Sequence, residues 1–133
     1  MDADDRARLL QHWWEHSRLS RGSRDERKAL SMGRPHGAAV AQEMLSDLVS
    51  TGAPDVVPLL ADLVDAGPSG NSAVIVGTGP LEDLLNEHGD ALIDELETLA
   101  RRRPTFRAAL SSAAIYDGAI AKGTASRIRS LVS

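Results

Sequence analysis

The stretch GPLEDLLNEHGDALIDELETLARRRPTFRAAL, residues 79–110, decides the fold class. Leu81, Leu84, Leu85 and His88 recur at the spacing of three and four residues that lines one face of an α-helix. Pro80 stands where a first helical residue belongs, because its missing N–H would be unsatisfied there anyway. Gly89 reads as the stop of that helix in a left-handed conformation, with Asp90 capping the next. The second segment carries Leu92, Ile93, Leu96, Leu99 and Ala100 on one side. Arg101, Arg102 and Arg103 fall in its last turn, where cations complement the helix dipole. Pro104 ends it and opens a short helix through Phe106 and Leu110.

Working outward, the same period appears almost everywhere. A first helix is expected over Ala3 to Leu19, with Leu9, Leu10, Trp13 and Trp14 on and beside its apolar stripe. Ser23 followed by Glu26 matches a capping box and predicts a short helix to Met32. Ala38 to Ser50 carries Val40, Met44, Leu45, Leu48 and Val49. A helix from Pro54 or Asp55 to Ala66 follows, with Pro58 in its first turn. Ser72 to Val76 has strand composition, yet its helical surroundings and the lack of a partner strand favour a short helix. A weaker final helix spans Ala119 to Leu131. The expectation is one all-α domain over residues 1–133, a compact bundle of roughly six to eight short helices. Pro54, Pro80 and Pro104 recur before amphipathic segments, which hints at HEAT-like stacked helical hairpins.

The quoted residues also carry a resemblance. GPLEDLL from Gly79, then His88-Gly89, then Ile93, Asp94, Glu97, Ala100, Pro104, Phe106, Arg107 and Leu110, resembles an uncharacterised bacterial family of small helical proteins. The likeness covers Gly79 to Ile115, and Ala114-Ile115 stand where that family usually carries a tryptophan. It implies a compact helical protein of bacterial origin, without a cofactor and without a reaction to carry over.

With 42% hydrophobic and 26% charged residues the composition is that of a soluble globular domain. The absence of cysteine excludes a disulfide framework, a thiolate metal site and a cysteine nucleophile. The charged start MDADDRARLL is unlike a signal peptide, and no apolar run reaches the roughly 20 residues of a membrane span, so a cytoplasmic location is expected.

The net charge of −4 hides a strong asymmetry. Residues 37–100 hold twelve acids and no Lys or Arg, whereas residues 101–133 hold seven bases and one acid. An acidic middle repels a phosphate backbone and attracts a basic surface. A solvated set of helix faces, partly neutralised by the arginines in three dimensions, is the plainer explanation.

No constellation points to chemistry. His12 and His16 are spaced as metal ligands on a helix but lack a third ligand. His88 with Asp83 or Asp94 has the elements of an acid–base pair but no nucleophile beside it; packing near a helix end explains it as well. Gly77-Thr78-Gly79 lacks the lysine and spacing of a phosphate loop. Arg101, Arg102, Arg103 and Arg107 form a basic cluster with one aromatic neighbour, Phe106, which fits a core position. Arg107 is expected to tie two helices together through Glu82 or Asp83. Of the adjacent tryptophans, either both pack within the chain, which is the favoured reading, or one is in the core and the other, Trp14, lies at a groove or interface, where tryptophan is a favoured anchor.

The leading expectation is a non-enzymatic protein-binding domain, an immunity or antitoxin-like inhibitor. It would set an acidic helical face against a basic protein partner such as a nuclease-type toxin. Glu82, Asp83, Glu87, Asp90, Asp94 and Glu97 are the candidate contact residues, with Asp62, Asp65 and Trp14 beside them. No cofactor, metal or membrane is called for, and nucleic acid is disfavoured. The alternatives are a small helical enzyme or ligand-binding domain with a pocket near Trp13, Trp14 and His88, and a structural oligomer.

Overall fold

Local sequence signals set half of the helix starts. In a computed structural model that describes residues 1–133, the chain forms eight helices and no strand. They are α1 (Ala3–Ser20), α2 (Arg24–Ser31), α3 (His36–Thr51), α4 (Val56–Asp65), α5 (Ser72–Gly77), α6 (Pro80–Arg102), α7 (Pro104–Ser112) and α8 (Lys122–Val132). Asp2 caps α1 by accepting from the Asp5 N–H. The Ser23–Glu26 capping box opens α2, with both reciprocal hydrogen bonds formed. Pro80 and Pro104 sit in the first turns of α6 and α7. The ambiguous stretch after the glycine loop is the helix α5; its buried Ser72 hydroxyl donates to the Ser69 carbonyl at 2.8 Å.

The chain divides into two compact units, Met1–Asp47 and Leu48–Ser133. In the first, α1 packs on α2, and Leu9, Trp13, Trp14, Leu19, Ala38, Ala41 and Leu45 are buried. The two indoles meet edge to face, with centroids 4.9 Å apart and planes at 88°. In the second unit, α4, α5, α6, α7 and α8 pack on one another. Leu60, Leu63, Leu81, Leu84, Leu85, Leu96, Phe106 and Leu110 are essentially sealed from solvent there.

Two expectations change. Gly89 is no helix end: α6 runs through it without a break for 23 residues. The glycine is buried, and a Cβ on it would lie 3.1 Å from Ile120 Cγ2 and 3.2 Å from Leu85 Cδ1. Its small size lets Ile120 and Leu85 pack close against the helix, and no left-handed turn is involved. The proline spacing does not mark equal repeats either, since Pro54 precedes a helix of 10 residues, Pro80 opens one of 23 and Pro104 one of 9. In this unit α7 also packs on α4 and α5 as well as on its sequence neighbours α6 and α8, unlike a solenoid in which each repeat meets only the next.

Candidate functional site

Helix α6 carries most of the candidate acids, and its apolar face fixes where they point. Leu81, Leu84, Leu85, Ile93, Leu96 and Ala100 are buried, which turns Asp83, Glu87, Asp90, Asp94 and Glu95 to the surface.

One polar stripe of α6 holds the irregular segment 113–121. The Glu82 carboxylate accepts the Ala114 N–H at 2.7 Å and the Tyr116 hydroxyl at 2.6 Å. One turn on, Asn86 donates to the Ala114 carbonyl at 2.8 Å and accepts the Tyr116 N–H at 2.8 Å. Another turn on, Asp90 accepts the Ala121 N–H at 3.0 Å. Ala121 is the N-cap residue of α8, so Asp90 takes up the N-cap backbone N–H, the bond that an acid in the first turn makes in a capping box. Hydrogen bonds from the Thr124 side chain and this N–H hold the Asp90 carboxyl below the ordinary aspartate value. Asn86 and Tyr116 were not foreseen. An asparagine in the middle of a helix, where it competes with the backbone, was the signal for the first.

A second group of acids is tied by the chain's own arginines. Arg103 bridges Asp62 at 2.8 Å and also pairs with Asp65, and its guanidinium donates to the Ala61 carbonyl at 3.2 Å. Thr105 donates to the other Asp65 oxygen at 2.7 Å. The Thr105 hydroxyl and then Arg103 hold the Asp65 carboxyl below its ordinary value. Arg127 reaches Asp94 at 2.8 Å and Glu97 at 3.1 Å, and Arg101 reaches Glu97 at 3.3 Å. Hydrogen bonding by Arg127 depresses the Glu97 carboxyl. Such groups stabilise the fold above the unfolded carboxylate range, and that contribution drains away as pH falls through their depressed values.

Asp83 and Glu87 differ. They are exposed and stand four residues apart on one face; neither pairs with a guanidinium, and Glu87 lies 4.0 Å from the His88 ring. Burial of its carboxyl and the charges of Glu87 and Glu82 raise the Asp83 value. Ionising Asp83 therefore opposes folding, and acidification through its raised value relieves that cost.

His88 Nε2 lies 2.8 Å from the Ser50 carbonyl, which only accepts, so this nitrogen carries the proton. The ring also lies against Gly52, at φ +61°, where a Cβ would stand 2.9 Å from His88 Cγ. His88 joins the end of α3 to α6. Trp13 and Trp14 are both buried, at 7% and 6% exposure, so Trp14 offers no anchor at a groove. A wide covered arc on α1 admits adjacent indoles when they stack edge to face. Arg107 does not reach Glu82 or Asp83. Burial of Phe106 fixes the phase of α7 and turns Arg107 to a concavity it shares with Arg101 and Arg127.

A family model of unknown function, DUF6869, matches residues 34–132. The chain belongs to the DUF6869 family. The match begins in the turn before α3 and closes within α8, so every candidate acid and the whole Glu82–Asn86–Asp90 stripe lie inside the family's span, while α1 and α2 precede it. No curated protein and no solved structure matches the chain. No helix is long and apolar enough to cross a membrane.

Proposed function

We propose that this member of DUF6869 is a non-enzymatic, cytoplasmic protein-binding domain. On this reading it is a bacterial immunity or antitoxin-like inhibitor that docks on a basic partner such as a nuclease-type toxin. The docking face is smaller than the charge pattern suggests. Asp62, Asp65 and Glu97 are engaged by Arg103, Arg127 and Arg101, and Asp90 and Glu82 serve the segment 113–121. Asp83 and Glu87 form its centre. Asp94 adjoins them on α6, its side chain 91% exposed despite the Arg127 bridge. An ion pair so open to water contributes little and can be exchanged for a cation of the partner.

One observation carries the proposal: Asp83 and Glu87 repel each other at the i, i+4 spacing, and the chain brings no Lys or Arg to relieve them, while His88 Nε2, 4.0 Å from Glu87, is already committed to the Ser50 carbonyl. Glu82 adds to the charge, because its own hydrogen-bond donors are neutral groups. Like charges kept together against stability mark a surface whose counter-charge comes from elsewhere. A basic protein face supplies it and gains in encounter rate and specificity.

The test is affinity capture with the intact chain, comparing wild type with Asp83→Lys/Glu87→Lys. The retained partner is expected to be basic, to elute with rising salt, and to be lost from the double variant. The variant itself is expected to stay within about 0.5 kcal/mol of wild type in stability, as for most surface changes. Equal retention of the same partner by the double variant removes the acidic face from the binding reaction.

A further inference from the structure

The corner where α6, α7 and α8 meet has the opposite sign. Arg101 from α6, Arg107 from α7 and Arg127 from α8 line a concavity of about 400 Å³, together with Glu97 and the hydroxyl-bearing Ser126 and Ser130. Three guanidinium groups meet one carboxylate of the lining, Glu97, and Asp94 pairs with Arg127 from outside it, which leaves an excess of one positive charge. Arg107 has no carboxylate partner. Arg101 commits one nitrogen to Glu97 at 3.3 Å, and Arg127 commits Nε to Glu97 and Nη2 to Asp94. The remaining N–H groups of the three forks are left for a ligand.

Gathering like charges in one recess is unfavourable unless something neutralises them. This recess does so only in part, in a chain whose net charge is −4. Ser126 and Ser130 are four apart on α8 and stand one turn from each other, adding neutral donors on the same wall.

We propose that this corner binds a small phosphate-type oxyanion of about pyrophosphate size. The corner keeps an excess of positive charge, and guanidinium forks pair with phosphate oxygens in a bidentate manner that lysine cannot reproduce, which suits a small polyanion of this kind. The volume falls within the usual range for small-molecule clefts. Glu97 acts as a hinge for the site: its two oxygens hold Arg101 and Arg127 on either side and set their spacing. The inference is independent of the acidic docking face.

Isothermal titration of the full chain with sodium pyrophosphate, at ionic strength matched with sodium chloride, tests it. Saturable one-site binding is expected with a Kd of about 1 mM or tighter. Arg107→Gln, an exposed change that breaks no ion pair, is expected to weaken binding by about tenfold. Arg102→Gln, outside the recess, is expected to leave it unchanged. In ¹⁵N spectra of the arginine side chains, the Nε–H signals of Arg101, Arg107 and Arg127 are expected to shift together on addition of pyrophosphate. Three results overturn the proposal. One is no saturable heat up to about 10 mM pyrophosphate. Another is equal weakening by both variants, which is general screening. The last is binding of a single-stranded RNA oligonucleotide without binding of pyrophosphate, which makes the corner part of a nucleic-acid surface.

Discussion

Replacing Gly77 by alanine is expected to destabilise the second unit by about 3 kcal/mol or more, at the upper end of what overpacking costs. Gly77 is the last residue of α5 and is buried. A Cβ placed on it would lie 2.1 Å from the Ala109 carbonyl oxygen, 3.0 Å from the Ala109 carbonyl carbon and 2.9 Å from Ser112 Cβ. The obstacle is the backbone of α7 and not the end of a flexible side chain, so relief requires α5 and α7 to move apart. That movement would loosen the packing of α5 on α4 and α6 as well. Gly123 in α8 has open space around it, and Gly123→Ala is expected to be neutral or to stabilise by up to about 1 kcal/mol. Urea denaturation of the two variants beside wild type separates the cases. A Gly77→Ala protein with an unchanged midpoint would mean that α5 and α7 are not in the close contact described.

Phe106→Ala is expected to cost about 3–5 kcal/mol, the range for emptying an aromatic site in a core. Phe106 is the only phenylalanine of the chain and is fully buried. It sits in the first turn of α7, among the leucines of α4 and α6 that make up the core of the unit. Phe106 also sets the phase of α7, which carries Thr105 to Asp65 and Arg107 to the arginine corner. The truncation is therefore expected to disturb both sites along with stability, whereas Phe106→Leu, closer in volume, is expected to cost less than about 1.5 kcal/mol. Denaturation midpoints for the two variants test the ranking; equal and small losses would place Phe106 outside the core.

These two positions show how far a sequence can be read. Phe106 fits a core position on periodicity alone, as do Leu81, Leu84 and Leu85. The capping box at Ser23 and Glu26, and the prolines at the starts of α6 and α7, are local signals read within a few residues. The helix over Ser72 to Gly77 followed from its surroundings and not from its own composition. Gly77 and Gly89 are different in kind. Their reason lies in what approaches them, the α7 backbone in one case and Ile120 in the other, and nothing beside them in the chain says so. Gly89 read as a helix stop because glycine at a helix end is the commoner use.

The charge pattern was legible and its pairing was not. Twelve acids without a base over residues 37–100 is a fact of the sequence, but Arg103 lies 41 residues from Asp62, and Arg127 lies 33 from Asp94. Only the packing of α7 against α4 and of α8 against α6 brings these partners together. The stripe of Glu82, Asn86 and Asp90 was half visible, as regular i, i+4 spacing, but its purpose rests on an irregular segment about thirty residues on. Among the candidate acids, Asp83 and Glu87 are the two that neither an arginine nor the segment 113–121 engages.

The division of the acids into satisfied and unsatisfied groups is the central claim, and carboxylate titration by carbon-detected NMR tests it most directly. Asp65, Asp90 and Glu97 are expected to titrate below their ordinary ranges, held by Thr105 and Arg103, by Thr124 and the Ala121 N–H, and by Arg127. Asp83 is expected above the ordinary aspartate range, and to fall towards it in Glu87→Gln. An Asp83 that titrates low alongside the others would show that this side chain has a cation of its own, and the α6 surface would then carry no charge in need of a partner.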